Sequence, residues 1–353
     1  MPLYYKWCML IALSTIHLSV FAQGDSTATC SSCCCDKDLS PSGVMISHVH
    51  QKNQWMVSYR YMNMNMGGML VGSNSISDSE LFNKNYSMSS NRMRMNMHML
   101  MAMYGVTDKL TLMAMVNYNL ISMNMTSLSP VMNMPGMDMS GNVNMTMKAS
   151  GLGDVKINAL YSLVNLRTHH LLVSGGLSIP TGSIRVSGDA NSMYPDHRLP
   201  YDMQLGSGTW DILPVLNYIH QNDRISWSTQ ASAVIRTGYN SIGYKLGNEV
   251  TWNNWFAFQW NRHFSSSVRL ETNVSGTIKA YDPTFNYVYY EPATNPKNYG
   301  GQHVNGYIGT NFFLPSFLNS KIGVEYGIPI YQNLNGPQMS FKSSLYASYA
   351  IMF

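Results

Sequence analysis
The side chains best suited to chemistry in this 353-residue sequence carry sulfur. In the segment Met132-Asn133-Met134-Pro135-Gly136-Met137-Asp138-Met139 a Pro-Gly turn separates two Met-x-Met pairs, and such a turn could bring four thioethers together. Thioethers are soft, uncharged donors that prefer Cu(I) or Ag(I) and bind without losing a proton. Cys30, Cys33, Cys34 and Cys35 form a second soft set, C-x-x-C-C-C. Neighbouring cysteines cannot all pair comfortably with one another, and a short polar arm has no core to staple, so a disulfide scaffold is a poor account of them. Two readings stay open: a site for Cu(I) or Zn(II), and an oxidised or mixed-disulfide tail with no task. Imidazole could be added by His48 and His50, an H-x-H pair, and by His98, with Met113 and Met115 as further thioethers. The plainer account of methionine is a flexible apolar filler in place of leucine. That account suits a strand, but an exposed loop has no evident use for it. Scavenging of oxidants through sulfoxide formation would need only exposure.

The elements that position these residues show in their spacing. Of the 29 methionines, 23 fall between Met45 and Met147, so the enrichment is regional. Within residues 92–104 the odd positions Met93, Met95, Met97, Met99, Met101 and Met103 alternate with Arg92, Arg94, Asn96, His98, Leu100, Ala102 and Tyr104. A period of two is that of a β-strand with two unlike faces. In a membrane wall a charge on the lipid face near the midplane costs about 2 to 4 kcal/mol. Arg92, Arg94 and His98 are therefore expected to point into a lumen, and the methionine ladder toward lipid. In the preceding segment Trp55, Val57, Tyr59 and Tyr61 are expected outward, with Met56, Arg60, Met62, Met64 and Met66 inward. In the following one Leu110, Leu112, Ala114, Val116, Tyr118 and Leu120 go outward, and Met113, Met115, Asn117, Asn119, Met123 and Met125 inward.

A membrane wall also follows from composition. Only 11% of residues are charged, against about a quarter in soluble domains, yet no apolar run beyond the N-terminus reaches the roughly 18 residues of a spanning helix. Alternating segments occupy residues 54–66, 92–104, 110–125, 154–164, 169–179, 209–219, 224–236, 244–259, 267–280, 302–313, 321–331 and 341–353. Short turns at 105–109, 165–168, 220–223, 260–266 and 314–320 alternate with long segments such as 67–91, 126–153, 180–208 and 281–301. The expectation is an all-β fold: a transmembrane antiparallel β-barrel of about twelve strands with short periplasmic turns and long outer loops. Residues 1–22 read as a secretory signal, with Lys6 before an apolar stretch and Ala22 at the cleavage position. Residues 23–43 read as a flexible Cys-rich periplasmic arm and 44–353 as the barrel.

Catalysis has little support: G-x-S-x-G, H-E-x-x-H and P-loop motifs are all missing, and Asp154, Asp202 and Asp211 read as rim or lumen groups. A net charge of +4 without clusters gives no footprint for nucleic acid.

The stretches HVHQKNQWMVSYRYMNMNM (48–66), MHMLMAMYGVTDKLTLMAM (97–115), GLGDVKINALYSL (151–163), GLSIPTGSI (176–184) and MQLGSGTWDILP (203–214) carry a family resemblance. They resemble methionine-rich, transporter-like bacterial outer-membrane barrels related to the meta-pathway phenol-degradation outer-membrane family. The aromatic residue Phe353 on an alternating last segment resembles the assembly signal of such proteins. The resemblance implies the outer membrane of a Gram-negative-type bacterium, with lipid and the barrel-assembly machinery as partners. It implies passage of small, often aromatic or apolar molecules, and for the methionine-rich subgroup an association with copper handling. It carries no ligand site onto these positions, and the cysteine cluster lies outside its pattern. The expected function is therefore transport or sequestration of soft metal ions, above all copper, with Cu(I) captured by the outer methionines, relayed by lumen methionines and met by the cysteine arm; the alternative is a passive channel for small hydrophobic or aromatic compounds.

Overall fold
The computed structural model describes residues 38–127, 144–188, 198–285 and 291–353. Cys30, Cys33, Cys34, Cys35, Met132, Met134, Met137 and Met139 lie outside the described residues. The alternating segments become strands β1 (Trp55–Gly72), β2 (Asn74–Ile76), β3 (Met88–Thr107), β4 (Leu110–Ser127), β5 (Asn144–Leu152), β6 (Val155–Asn165) and β7 (His169–Ile179). They continue as β8 (Asp211–Ile212), β9 (Val215–Gln221), β10 (Ile225–Arg236), β11 (Glu249–Asn261), β12 (Phe264–Ser275), β13 (Gly301–Leu314) and β14 (Ser320–Met352). One short helix, α1 (Asp78–Asn83), is capped by a reciprocal Ser77–Glu80 box.

Eleven of these strands close into an antiparallel ring, β1-β3-β4-β6-β7-β9-β10-β11-β12-β13-β14 and back to β1, while β2, β5 and β8 pair beside it. A ring whose neighbours are all antiparallel needs an even number of crossings. The 33-residue β14 supplies the twelfth by reversing at Asn335-Gly336-Pro337: residues 320–334 pair with β13 and residues 338–352 with β1. Across the reversal the Gln332 amide donates to the Phe341 carbonyl at 3.0 Å, and the Phe341 N–H returns a bond to Gln332 at 2.8 Å. Twelve crossings thus match the twelve alternating segments.

The turns at one end are short, and aromatic residues gather there. Trp55 lies 4.6 Å from Tyr104, Phe258 4.9 Å from Trp260 and Phe264 5.2 Å from Phe312, centroid to centroid. This is the interfacial girdle of a membrane barrel. Some boundaries differ from expectation. Pro214 has no N–H for a ladder, so the sixth crossing is interrupted between β8 and Val215. The expected loop 126–153 contains β5, which extends the wall beside β4. The ninth crossing ends at Ser275, short of residue 280, and Ile278 is buried with Tyr201, Tyr244 and Phe285.

Inside, two walls of opposite character face each other. Strands β1, β3 and β4 present methionine, whereas β11 to β14 present a buried polar network. In that network Arg269 donates to Glu325 at 2.8 Å, to Glu271 at 2.6 Å and to Asn253 at 2.8 Å, and its guanidinium stands 3.7 Å from the Tyr307 ring centroid. Four partners offset the desolvation of a charge this deeply buried. Removing one of them should be costly: Glu325→Ala should destabilise the barrel by about 3 to 5 kcal/mol, read from urea unfolding in lipid vesicles. The double change Arg269→Met with Glu325→Leu should cost less than Glu325→Ala alone.

Candidate functional site
The described chain starts inside the barrel. Residues 38–50 cross its lumen at the short-turn end, from the β13–β14 side to β4, and are held mainly by side chains of the wall. Lys321 donates to the Asp38 carboxylate and to the Ser40 carbonyl, both at 2.9 Å, and Asn311 donates to the same carbonyl at 3.2 Å. The Gly43 N–H donates to Glu325 at 2.6 Å. A Cβ on Gly43 would run into the Arg269 guanidinium and the Glu325 carboxylate, so only glycine lets the segment pass this close over the ion pair. Arg60 donates to the Val44 carbonyl at 3.2 Å. The Ile46 carbonyl accepts from Asn217 at 3.0 Å and from Gln230 at 2.5 Å, and the His50 N–H donates to Thr111 at 2.8 Å. Every one of these partners is an inward polar residue of a strand. The segment is a plug.

Against the plug lies the methionine wall. Ile46 packs with Met56, Met62, Met99, Met101, Met103, Met113, Met115 and Leu160, all buried. A second buried cluster lies toward the long-loop end, where Met93, Met123 and Met125 join Tyr86, Leu199 and Met203. Met95 packs against both clusters, so the two form one apolar column from the outer loops to the plug.

This arrangement corrects the expected facing of β3. Met93, Met99, Met101 and Met103 are buried in the lumen, and the side of Arg92, Arg94 and His98 faces out. The physical premise was sound, but the height was wrong. Arg94 lies ten residues along β3 from Tyr104, which at about 3.3 Å per residue and a tilt near 40° is about 25 Å, the whole height of an apolar band. Arg94 and Arg92 therefore stand above the hydrocarbon. His98, lower down, is satisfied where it is, 2.7 Å from the Tyr59 hydroxyl. The same rule held for β1 and β4, where Met56, Met62, Met113, Met115, Met123 and Met125 are buried inside as expected.

Of the ligand candidates within the described residues, His48 and His50 come together, with ring centroids 4.7 Å apart in an edge-on contact. The His50 N–H bond to Thr111 places them beside the strand that carries Met113 and Met115. His98 is on the opposite side of the wall and cannot join them. His48 Nδ1 meets the Ser47 hydroxyl at 3.0 Å, while His48 Nε2 and both ring nitrogens of His50 lack a hydrogen bond of ordinary geometry. No group of three or more His, Cys, Asp or Glu among the described residues is arranged to hold a metal ion. Asp154 organises the long loops instead, accepting from Gly182, at 2.9 Å, and from the Ser207 N–H, at 2.8 Å, and Asp211 pairs with Arg236 at 2.5 Å.

No family model matches the sequence, and no curated protein matches it. Among solved structures, the chain is similar to the COG4313 outer membrane channel from Pseudomonas putida F1, with a TM-score of 0.57 and 14% identity over 86% of this chain and 97% of that one. Weaker likeness extends to a Pseudomonas aeruginosa FadL homologue, at a TM-score of 0.40 and 11% identity over 84% and 89% of the two chains. It extends also to the Pseudomonas putida toluene transporter TodX, at 0.41 and 10% over 86% and 90%. The likeness shows the fold, that of an outer-membrane β-barrel.

The plug has a built-in pH dependence. Burial, and then the adjoining His48 ring, push His50 down to about 3; burial also lowers His48. Burial, the largest single effect on Asp38, would raise it, but the Lys321 ammonium, His48 and the Ser40 and Lys321 hydrogen bonds together outweigh it and hold the carboxyl below its usual range, so Asp38 stays ionised through this window. The docked histidines are neutral, whereas in a released segment they would titrate near 6.5. Docking is therefore undiminished above about pH 6.5 and weakens as pH falls, by about 2 to 3 kcal/mol from His50 alone at about pH 4.5. Ion conductance in planar bilayers should rise between pH 7 and pH 4.5, and His50→Phe should flatten much of that rise.

Proposed function
We propose that this protein is an outer-membrane channel for small apolar or aromatic molecules, with the plug as its periplasmic closure. The observation that carries the reading is the column of methionine side chains joined through Met95, which lines one wall from the outer loops to residue Ile46 of the plug. Unbranched thioethers adapt to many apolar shapes, as a lining for unlike hydrophobic molecules requires. The opposite wall, built on Arg269, Glu271 and Glu325, holds the plug and gives an apolar solute nothing to bind. The short turns lie on the periplasmic side, as in other barrels of this kind, and the signal-like residues 1–22 support export.

The test is uptake of a small aromatic hydrocarbon into proteoliposomes. A buried amide without partners costs about 1 to 3 kcal/mol, so Met95→Asn should slow uptake by about tenfold or more. Met95→Leu, which keeps the apolar contact, should stay near the wild-type rate. Equal uptake by both variants would remove the column as the path.

A second reading, sequestration of Cu(I), is favoured by the paired His48 and His50 rings, whose buried nitrogens make few ordinary hydrogen bonds, beside a thioether wall. In that reading Met132, Met134, Met137 and Met139 capture the ion outside, Met113 and Met115 supply lumen sulfur, and Cys30, Cys33, Cys34 and Cys35 meet it in the periplasm. Anaerobic Cu(I) titration against a competing chelator decides it. Loss of one site in the His48→Phe, His50→Phe variant would place copper inside, and loss in the variant with all four loop methionines changed to leucine would place it outside. If wild-type protein ignores Cu(I), the methionines are lining alone.

A further inference from the structure
The outward side of β3 is unusual for a barrel wall. One rung of the sheet, read through the pairing register, runs Lys148 on β5, Ser122 on β4, Arg94 on β3, Asn65 on β1 and Ser343 on β14. All five are polar. Below this rung the outer face turns apolar on the flanking strands, with Leu120, Leu345, Tyr118, Val116 and Leu100 exposed, while Asn63 and Asn96 continue the polar face one rung further on β1 and β3. On the flanking strands the change marks the upper edge of the hydrocarbon, near the height derived for Arg94, and the paired Asn63 and Asn96 reach it satisfied by each other. Just above it, Arg92 follows on β3, and Lys342 projects at an irregularity in the β1–β14 register between Phe341 and Ser343.

These cations share a recess. Arg92, Arg94 and Lys342 line an open groove of about 820 Å³ on the outside of the wall, with Asn63, Asn65 and Ser343 as further hydrogen-bonding groups. All four cations, Lys148 included, are exposed, and none of them forms an ion pair among the described residues. Nearby asparagines are engaged with one another or with tyrosine, as in Asn63 donating to Asn96 at 2.7 Å, and no carboxylate lines the groove among the described residues. Uncompensated positive charge at a membrane boundary calls for an anion from the membrane itself. Guanidinium groups are suited to phosphate, which they grip with paired hydrogen bonds.

We propose that this groove binds the phosphorylated sugar headgroup of an outer-leaflet glycolipid. Its phosphates would meet Arg92, Arg94 and Lys342, its sugar hydroxyls the amides and Ser343, and its acyl chains the apolar strip below. The inference is independent of what passes through the lumen; it rests on the long-loop end facing outward. The requirement for both a phosphate and acyl chains separates this occupant from a free anion.

Native mass spectrometry of the barrel purified in detergent, titrated with bisphosphorylated lipid A, tests it beside the variant R92Q/R94Q/K342Q. Wild-type protein should retain one lipid A, and the variant should bind it at least tenfold more weakly, since it loses the charge-assisted hydrogen bonds to phosphate. Lys148→Gln, further along the rung, should lose less. Undiminished binding by the triple variant, or equal retention of lipid A stripped of its phosphates, would overturn the proposal. Displacement of the lipid by an equal concentration of inorganic phosphate would assign the groove to a free anion and overturn it as well. Heat-modifiable electrophoretic mobility reports whether the variant is folded. If it is not, Arg94→Gln alone must still weaken lipid A binding at least threefold.

Discussion
No backbone N–H or C=O can be left unpaired in hydrocarbon, and that constraint sets the form of this molecule. It forces the wall to close, and closure of an antiparallel ring forces an even count, which is why one long strand folds back at Asn335-Gly336-Pro337. It also governs the interior. The plug is not a strand of the sheet and has no ladder to complete it, so side chains take the ladder's place. Asn217 and Gln230 serve a single carbonyl, Lys321 reaches Asp38 and Ser40, and Glu325 takes the Gly43 N–H. Polar residues on inward faces that resemble a water-filled lumen in the sequence are, in large part, the hydrogen-bonding complement of thirteen residues of chain.

Most of the wall was legible from alternation and turn length, because a period of two and the contrast of short and long connections are local properties. The facing of residues 92–104 was not. Alternation divides that strand into two faces but does not say which is inside, and the charge rule used to decide depends on depth. Depth comes from the register of Tyr104 with Trp55 at one edge and of Arg94 with Ser122 and Asn65 at the other, and register is a relation between strands. The plug was missed for a related reason. Leu39, Val44 and Ile46 are apolar positions in a polar stretch, a faint sign of burial, but the stretch has no period that names its partner.

The candidate site was legible in its parts and not in its grouping. His48, His50, Met113 and Met115 were identified by type, and the structure gathers them at one end of the lumen; His98, chosen on the same grounds, lies outside the wall. What no spacing within one strand could reveal is the division of the lumen into a soft wall and a polar one. The soft wall adapts by rotation about unbranched side chains, while the polar wall, with Arg269 enclosed by Glu325, Glu271 and Asn253, is fixed by geometry. A deformable surface opposite a rigid one confines any rearrangement of the interior to one side.

The seam of the barrel has a consequence for how the molecule is assembled. Trp55, four residues of turn beyond the plug, exchanges two backbone hydrogen bonds with Phe353, at 2.8 and 3.0 Å, so β1 meets the end of β14 near the point where the plug leaves the lumen. Three of the plug's partners, Lys321, Glu325 and Ser348, also lie on β14. The first part of the described chain therefore completes its bonds only with β14 in place, so the strand that seals the wall is also the one that seats its contents.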